Sequence, residues 1–366
     1  MGAIENKMKV MILAGGTGGH VMPALAVARH LRQQGHQVHW LGTRAGIEAR
    51  LVPQEDLPIS FIDIQGIRGK KIITLLQAPF RICKAIVQSY RVLASVKPDA
   101  VLCMGGYVSG PGAIAAWLRR CPIVLHEQNA IAGWTNRVLA NFAKRIMVAF
   151  PNAFKKHLDK IIETGNPVRQ DILNILPPKE RLKLRQTPVR VLVLGGSQGA
   201  TKLNEVLPQA FALLPQDQCP QIWHQTGKNN LATTQKAYTD CQVIAQVSDF
   251  IQDMQEAYAW ADIVICRAGA LTIAEISAVG LPSILIPFPF AVDDHQTHNA
   301  KYLSDHGAAF LLAQSELTPN KLHELLLDLI INPDKRLGMA MASHALAKPL
   351  ATTIVAEQCL EVSCEP

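Results

Sequence analysis

The sequence lacks several features that would point to a membrane-spanning, secreted or zinc-binding protein. No run approaches the ~20 apolar residues that a membrane-spanning helix needs. Glu5 and Lys7 precede the first apolar run, which is short and ends in glycines, so we expect no signal peptide. The eight cysteines form no CxxC pair and no Cys/His cluster at zinc spacing, which predicts reduced core cysteines in a cytosolic protein.

Aromatic residues are also scarce, at 5% of the chain, and no Lys/Arg-rich run is interleaved with them. Because base-stacking proteins need such platforms, nucleic acid is the least favoured partner. Hydrophobic residues make up 49% of the chain and charged residues 18%, which indicates a folded globular protein. The net charge of +7 favours an anionic partner, either a phosphate-bearing ligand or an anionic membrane surface.

Short apolar runs alternate with helical patterns along the chain, which is typical of an α/β fold with doubly wound parallel sheets. The first series of predicted strands covers residues 8–13, 37–41, 100–104, 123–126 and 145–148, and the second covers 189–194, 221–226, 243–247, 263–266 and 283–287. A length of 366 residues suits two domains, and we place their boundary near residue 168. The two series share a strand-to-glycine-turn layout, which fits either an internal duplication or two unrelated sheets of one type.

The most informative motif is the glycine turn at residues 14–20, between the first strand and a helix predicted over 23–31. Its glycines let the backbone approach a ligand, and the helix behind them presents unpaired N–H groups to an anion. Val21 replaces the third glycine of the dinucleotide fingerprint, so that assignment is excluded. The turn predicts a phosphate-binding loop with His20 beside it, and an ordinary strand-to-helix turn is the alternative.

A second turn, at residues 266–275, joins a predicted strand to a helix of small residues. The helix start favours a diphosphate, and Thr272 and Glu275 share one helical face. A carboxylate there suits the hydroxyls of a ribose. The alternative is a capping box in which Thr272 caps the helix and Glu275 completes the pair.

Three other polar segments follow predicted strands. Residues 104–112 form another glycine-rich turn that contains Tyr107. His126 is the last residue of the strand predicted at 123–126, and Glu127 follows it. His126 and Glu127 either face a ligand or lie in the core with their hydrogen bonds made inside the protein. Residues 293–299 include His295, Gln296 and His298. The spacing of the two histidines could suit a metal, but no companion acid stands at a familiar zinc-site spacing. The Asn and Gln side chains of this segment both donate and accept, which favours hydrogen bonds to a sugar.

An apolar stripe with helical spacing runs through residues 72–93, from Ile72 to Leu93. Cations flank it; they are Arg68, Lys70, Lys71, Arg81, Lys84 and Arg91. An apolar face ringed with cations favours an anionic membrane surface. A core-facing helix with a solvated basic face is the alternative.

Taken together, the motifs resemble the MurG family of bacterial N-acetylglucosaminyltransferases. The resemblance rests on residues 15–20, 104–112, 126–129, 165–169, 195–199 and 270–275, in order along almost the whole chain. It implies a GT-B fold, in which two Rossmann-like domains (1–167 and 168–344) face an interdomain cleft and a helix at about 345–366 packs back on the first domain. It also implies inverting transfer from UDP-GlcNAc to lipid I, with no metal or cofactor required, at the cytoplasmic face of the inner membrane. Other cell-wall synthesis proteins are implied as further partners.

The resemblance also implies site residues. Expected contacts to UDP-GlcNAc are Ser197, Ile251, Ala270, Leu271, Thr272, Ile273, Ala274, Glu275 and Gln296, completed by Thr17, Gly18, Gly19, Asn129 and Arg169. Candidate acceptor-site residues are Tyr107, His126 and Glu127. His20 is the leading candidate for the general base, since imidazole titrates near neutral pH.

Three alternatives remain at this point. His20 could instead hydrogen-bond the acceptor diphosphate while His126 or Glu127 takes the proton. A UDP-GlcNAc 2-epimerase of related fold is the rival enzyme, although it has no use for a membrane-binding stripe. The non-enzymatic rival is a nucleotide-sugar binding module. Such a module has no use for an acceptor site in the first half of the chain.

Overall fold

The computed structural model describes residues 7–66, 77–183, 185, 187–196 and 200–364. Its strands are β1 (Lys9–Ala14), β2 (Gln37–Gly42), β3 (Ile59–Phe61), β4 (Ala100–Gly105), β5 (Ile123–Glu127), β6 (Arg145–Val148), β7 (Ile161–Glu163), β8 (Arg190–Leu194), β9 (Gln221–Gln225), β10 (Gln246–Ser248), β11 (Ile263–Cys266), β12 (Ser283–Leu285) and β13 (Ala309–Leu311). Its α-helices are α1 (Gly18–Gln33), α2 (Glu48–Leu51), α3 (Ala78–Val96), α4 (Ser109–Leu118), α5 (Trp134–Leu139), α6 (Gln170–Leu173), α7 (Pro178–Lys183), α8 (Thr201–Ala212), α9 (Leu231–Asp240), α10 (Met254–Trp260), α11 (Ala270–Val279), α12 (His295–Ser304), α13 (Pro319–Ile331), α14 (Pro333–Ala345) and α15 (Ala351–Cys364).

The described strands form two parallel sheets. The first has the order β3-β2-β1-β4-β5-β6-β7, and the second has the order β10-β9-β8-β11-β12-β13. In each sheet the connections reverse direction at one point, between β1 and β4 in the first and between β8 and β11 in the second. Ligands of such sheets bind outside the carboxyl ends of the strands at this switch point. The predicted α/β fold with two Rossmann-like sheets is confirmed.

The described residues divide into two compact units. The first comprises those up to Val168 together with those from Pro349 onward, and the second comprises Arg169–Lys348. The helix α15 therefore belongs to the first unit, where it packs against α1.

Both faces of the first sheet are buried. α1 and α15 cover one face, and Val355, Ala356, Cys359 and Val362 of α15 are fully buried there. Side chains from α3, α4 and α5 cover the other face. Because neither face meets water, the central strands are continuous apolar runs instead of alternating ones.

Two sequence predictions are wrong in detail. α1 begins at Gly18 and not at Pro23, because the N–H groups of His20 and Val21 already bond to the Thr17 carbonyl and close a turn before the proline. The cysteines are not all core residues, since Cys83, Cys219 and Cys364 lie on the solvent side of their segments and are exposed. Among the described helices, none is both long and apolar enough to cross a membrane.

Candidate active site

The first glycine turn lies at the switch point of the first sheet. Gly16 has a φ of +92°, which favours glycine. Behind the turn, the fully buried carboxylate of Glu48 accepts a hydrogen bond from the Gly16 N–H (3.0 Å) and two from the N–H and hydroxyl of Thr43 (2.8 Å each). Glu48 thus holds the turn from inside. The start of α1, at Gly18 and Gly19, presents the N–H groups that an anion could reach.

The glycines that end β4 pack against this turn. Gly105 and Gly106 have φ values of +106° and +84°. A methyl group at Gly106 would lie 2.1 Å from the carbonyl oxygen of Gly15, and one at Gly105 would lie 2.5 Å from Nδ1 of His20. The close approach of the two turns therefore requires glycine at both positions.

His20 is held by hydrogen-bond acceptors on one side of its ring. Its Nδ1 lies 3.1 Å from the carbonyl oxygen of Met104 and 3.3 Å from Oε1 of Gln128. Since both partners only accept, Nδ1 carries the proton in the neutral ring and Nε2 carries the lone pair. This is the tautomer that a base acting through Nε2 requires.

Glu127 organises the loop that follows β5. It is 2% exposed, and its two oxygens accept hydrogen bonds from the backbone N–H groups of Asn129 and Gly133 and from the side-chain amides of Asn129 and Asn136. Four hydrogen bonds saturate both oxygens of the carboxylate. Its position therefore fixes the loop that presents Asn129.

His126 lies beneath the same loop. It is fully buried and donates from Nε2 to the carbonyl oxygen of Gly165 (3.0 Å). Burial lowers the pKa of His126 to about 4, so the ring is neutral at pH 7.

Tyr107 differs from these residues because it is 57% exposed. A methyl group at Gly66 would lie 2.4 Å from its hydroxyl oxygen, so the ring covers Gly66. Residues 67–76, which follow Gly66, lie outside the described residues.

In the second unit, the switch point has the same layout. Gly196, after β8, has a φ of +75°, while Ser197 lies outside the described residues. After β11, the N-cap of α11 is Gly269, which has no side chain to cap with. The capping-box alternative for Thr272 is therefore wrong. Ala270 and Ile273 are buried, whereas Leu271, Thr272 and Ala274 are partly exposed.

Glu275 is buried on α11 between two partners. The hydroxyl of Tyr258 donates to its Oε2 (2.9 Å), and a guanidinium nitrogen of Arg169 lies 3.8 Å from its Oε1. Burial raises the pKa of Glu275 to about 7, although Arg169 and the hydrogen bond from Tyr258 act in the opposite direction. The carboxyl is thus poised near neutral pH, and a ligand that donates hydrogen bonds to it would favour its ionised form.

We expect Glu275→Gln to reduce the pH dependence of stability. The folded-state pKa is raised from 4.5 to about 7, so the folded state binds more protons between these pH values and its stability falls as the pH rises through that window. The drop in the thermal unfolding midpoint between pH 5 and pH 8 should be smaller in the variant than in the wild type by at least about 2 °C. Replacement of the exposed Glu316 by Gln is the control. An identical pH dependence in wild type and Glu275→Gln would show that this carboxyl is ionised throughout.

Gln296 and Ile251 lie elsewhere in the second unit, on α12 and in the loop before α10. Oε1 of Gln296, on the first turn of α12, accepts a hydrogen bond from the Phe288 N–H (2.9 Å). This fixes the amide orientation, so Nε2 is the end that can donate to a ligand. Ile251 is 4% exposed and precedes α10, the helix that carries Tyr258. Within the described residues, no three His, Cys, Asp or Glu side chains form a group that could hold a metal ion.

Three residues that organise these turns were not predicted from the sequence: Glu48, Gln128 and Tyr258. Only Gln128 lies in a segment singled out beforehand, at residues 126–129. Each contacts a turn from another part of the chain, and local sequence patterns do not show contacts between distant segments.

Comparison with known proteins matches both halves of the chain. Residues 10–148 match the glycosyltransferase family 28 N-terminal domain, and residues 190–354 match the glycosyltransferase family 28 C-terminal domain. The UDP-N-acetylglucosamine–N-acetylmuramyl-(pentapeptide) pyrophosphoryl-undecaprenol N-acetylglucosamine transferase of Marinobacter nauticus is 50% identical, over 98% of both chains. The protein of the same name from Pseudomonas entomophila is 49% identical, over 97% of this chain and 98% of its own.

Solved structures agree. The crystal structure of Acinetobacter baumannii MurG superimposes with a TM-score of 0.83 at 44% identity, covering 97% of this chain and 99% of that one. UDP-GlcNAc 2-epimerase from Neisseria meningitidis, bound to UDP-GlcNAc, shares the fold at 15% identity with a TM-score of 0.69, covering 97% of this chain and all of that one. The resemblance found in the motifs is confirmed: the chain belongs to glycosyltransferase family 28, and within it to the MurG family.

Proposed function

We propose that the chain transfers N-acetylglucosamine from UDP-GlcNAc to the C4 hydroxyl of MurNAc in undecaprenyl-pyrophosphoryl-MurNAc-pentapeptide (lipid I). The products are lipid II and UDP, and the reaction inverts the anomeric carbon. One observation carries this assignment: the 50% identity, over 98% of both chains, to a relative whose name states this sugar, donor and acceptor. The epimerase shares the fold at 15% identity, which supports no shared activity.

Incubation of the protein with labelled UDP-GlcNAc and a soluble lipid I analogue tests the proposal. We expect labelled disaccharide product and an equal amount of UDP, and no turnover without the acceptor. Acceptor-independent conversion of the sugar to its 2-epimer would identify the epimerase instead. Binding of UDP-GlcNAc without any turnover would identify a binding module.

For the donor, we propose that the start of α11 binds the diphosphate. Ala270 to Ala274 supply backbone N–H groups and the positive end of the helix dipole, and Arg169 adds a cation. The Glu275 carboxylate accepts hydrogen bonds from the ribose hydroxyls. Ile251 and Ser197 make further contacts to UDP-GlcNAc. Gln296 donates from Nε2 to a sugar hydroxyl. These groups stabilise the negative charge of departing UDP, so the proposed reaction requires no metal or cofactor.

For the acceptor, we propose that Thr17, Gly18 and Gly19 bind the diphosphate of lipid I at the start of α1. The proton of the attacking hydroxyl goes to Nε2 of His20, because the Nδ1 contacts leave the lone pair on that nitrogen. Tyr107 and Asn129 contact the acceptor. Glu127, whose two oxygens accept four hydrogen bonds, and His126, which is fully buried, shape the loop that carries Asn129.

We further propose that the protein binds the cytoplasmic face of the inner membrane peripherally, where other cell-wall synthesis proteins are partners. An exposed apolar patch supports this. It consists of Phe80, Val87 and Tyr90 on α3, which are 77%, 50% and 42% exposed, and Trp117 and Leu118 on α4, each 52% exposed. The core-facing side chains of α3 are Ala85, Ser89 and Leu93, so the patch is a separate face of the helix.

Cations surround the apolar patch. Arg81, Lys84 and Arg91 lie on α3, and the guanidinium of Arg119 stacks on the Tyr90 ring at 5.0 Å. Lys84 pairs with Asp63 (2.9 Å). The stripe residues 72–76 and the cations Arg68, Lys70 and Lys71 lie outside the described residues. Clustered cations beside exposed apolar side chains suit the anionic lipids of a membrane surface.

The double variant Phe80→Ser/Val87→Ser should bind vesicles of anionic phospholipid much more weakly. Loss of two inserted side chains costs about 3 kcal/mol, which corresponds to about a 100-fold lower partition coefficient in a sedimentation assay. Ile244→Ser, which changes a 94% exposed residue of the second unit, is the matched control. Turnover of a soluble acceptor should be unchanged in both variants. Equal vesicle binding by the double variant and the control would contradict the proposal.

A further inference from the structure

We infer that Gln128 is a positioning residue that holds His20 in the tautomer and orientation needed to accept a proton. The inference deepens the proposed function and rests on it. Gln128 is 2% exposed at the end of β5, and it meets both His20 and the carbonyl group of Met104.

The orientation of the Gln128 amide follows from its neighbours. Its Nε2 donates to the Met104 carbonyl oxygen at 2.6 Å, which turns Oε1 toward Nδ1 of His20 at 3.3 Å. The opposite orientation would place two acceptors together at Met104 and two donors together at His20. A single arrangement therefore satisfies all three groups.

This arrangement places two acceptors around one N–H. With the Met104 carbonyl alone, the imidazole could rotate about its Cβ–Cγ bond and leave that acceptor, which weakens the preference for a proton on Nδ1. A second acceptor fixes both the ring plane and the tautomer. The Gln128 backbone is itself held, because Nδ2 of Asn166 donates to its carbonyl oxygen at 3.0 Å. Gly105 completes the enclosure, since any side chain there would overlap the ring.

The amide is also neutral, which affects the basicity of His20. A carboxylate beside Nδ1 would stabilise the imidazolium form and raise the pKa of the ring. Gln128 orients the ring without adding a charge. The ionisable groups on the surrounding elements are His126 and Glu127 on β5, Glu48 on α2 and Tyr107 after β4; His126 is neutral at pH 7 because of its burial.

The test uses the full chain with Gln128→Leu, which has a similar volume and no polar atoms. We expect kcat for transfer to the soluble lipid I analogue to fall about tenfold, with the KM for UDP-GlcNAc unchanged, because one hydrogen bond to the base is lost. Nitrogen NMR of the imidazole should show a mixture of His20 tautomers in the variant and one tautomer in the wild type. Thermal unfolding of both proteins checks that the variant is folded.

A double-mutant cycle separates positioning from a general structural effect. In a His20→Ala background, Gln128→Leu should cost nothing further in kcat, because there is no ring to position. A similar loss with and without His20, or an unchanged tautomer and kcat in Gln128→Leu alone, would overturn the inference. The tautomer measurement needs no turnover. Absence of transfer by the wild-type protein would refute the proposed function, while the NMR result would still decide the role of Gln128.

Discussion

Replacement of His20 by alanine is expected to lower kcat for GlcNAc transfer by about 10²- to 10⁴-fold, the usual contribution of a general base. The KM for UDP-GlcNAc should change little, because the residues proposed to bind the donor lie in the second unit. His306→Ala is the matched control, since His306 is an exposed histidine that bonds to the carbonyl of Tyr302 within its own helix end. Steady-state kinetics with both substrates at saturation would measure the effect.

The alternative role for His20, a hydrogen bond to the acceptor diphosphate, gives a different result. Loss of a binding contact would raise the KM for lipid I and leave kcat nearly unchanged. A variant that retains most of its turnover at saturation would eliminate the base assignment.

Replacement of Gly106 by alanine is expected to lower kcat by at least about 100-fold, because a displacement of about 1 Å at a reacting group costs that much. The added methyl group would lie 2.1 Å from the Gly15 carbonyl oxygen, so the turns after β1 and β4 must separate. Their separation would move both His20 and the start of α1. Stability should fall as well, by more than the roughly 1–3 kcal/mol of strain that a positive φ alone introduces.

Gly35→Ala separates the two sources of strain. Gly35 has a φ of +87°, close to the +84° of Gly106, but an added methyl group there would meet no atom within 4 Å. Urea unfolding of both variants would give the cost of the positive φ from Gly35→Ala and the cost of the overlap from the difference. The close packing of the turns would be contradicted if the two variants lost equal stability and Gly106→Ala kept full activity.

The fold could be predicted because the central strands are long and apolar on both faces. The edge strands β3, β7 and β13 were not predicted, since each has three residues and so few positions show no periodicity. Their pairing depends on a neighbouring strand that already exists. The bounds of β10 were also predicted wrongly, at 243–247 instead of Gln246–Ser248, because this strand too has only three residues.

The candidate site was predictable only where its chemistry is local. Glycine turns at residues 14–20 and 104–112 are visible because strand, glycines and helix are adjacent in sequence. The hydrogen bond between Gln128 and His20 joins residues 108 positions apart, and no local pattern reports it. The apolar stripe of α3 has the same limit, because spacing shows that Phe80 and Val87 share a side of the helix but not whether anything covers them.

The position of α15 sets an order of events during synthesis. Val355, Ala356, Cys359 and Val362 complete the core of the first unit, yet they follow the whole of Arg169–Lys348 along the chain. A ribosome therefore releases the entire second unit before the first can close its hydrophobic face. Until then that unit exposes the apolar side chains of α1, β4 and β5 that α15 later covers, and this is the nascent state in which a chaperone would recognise it.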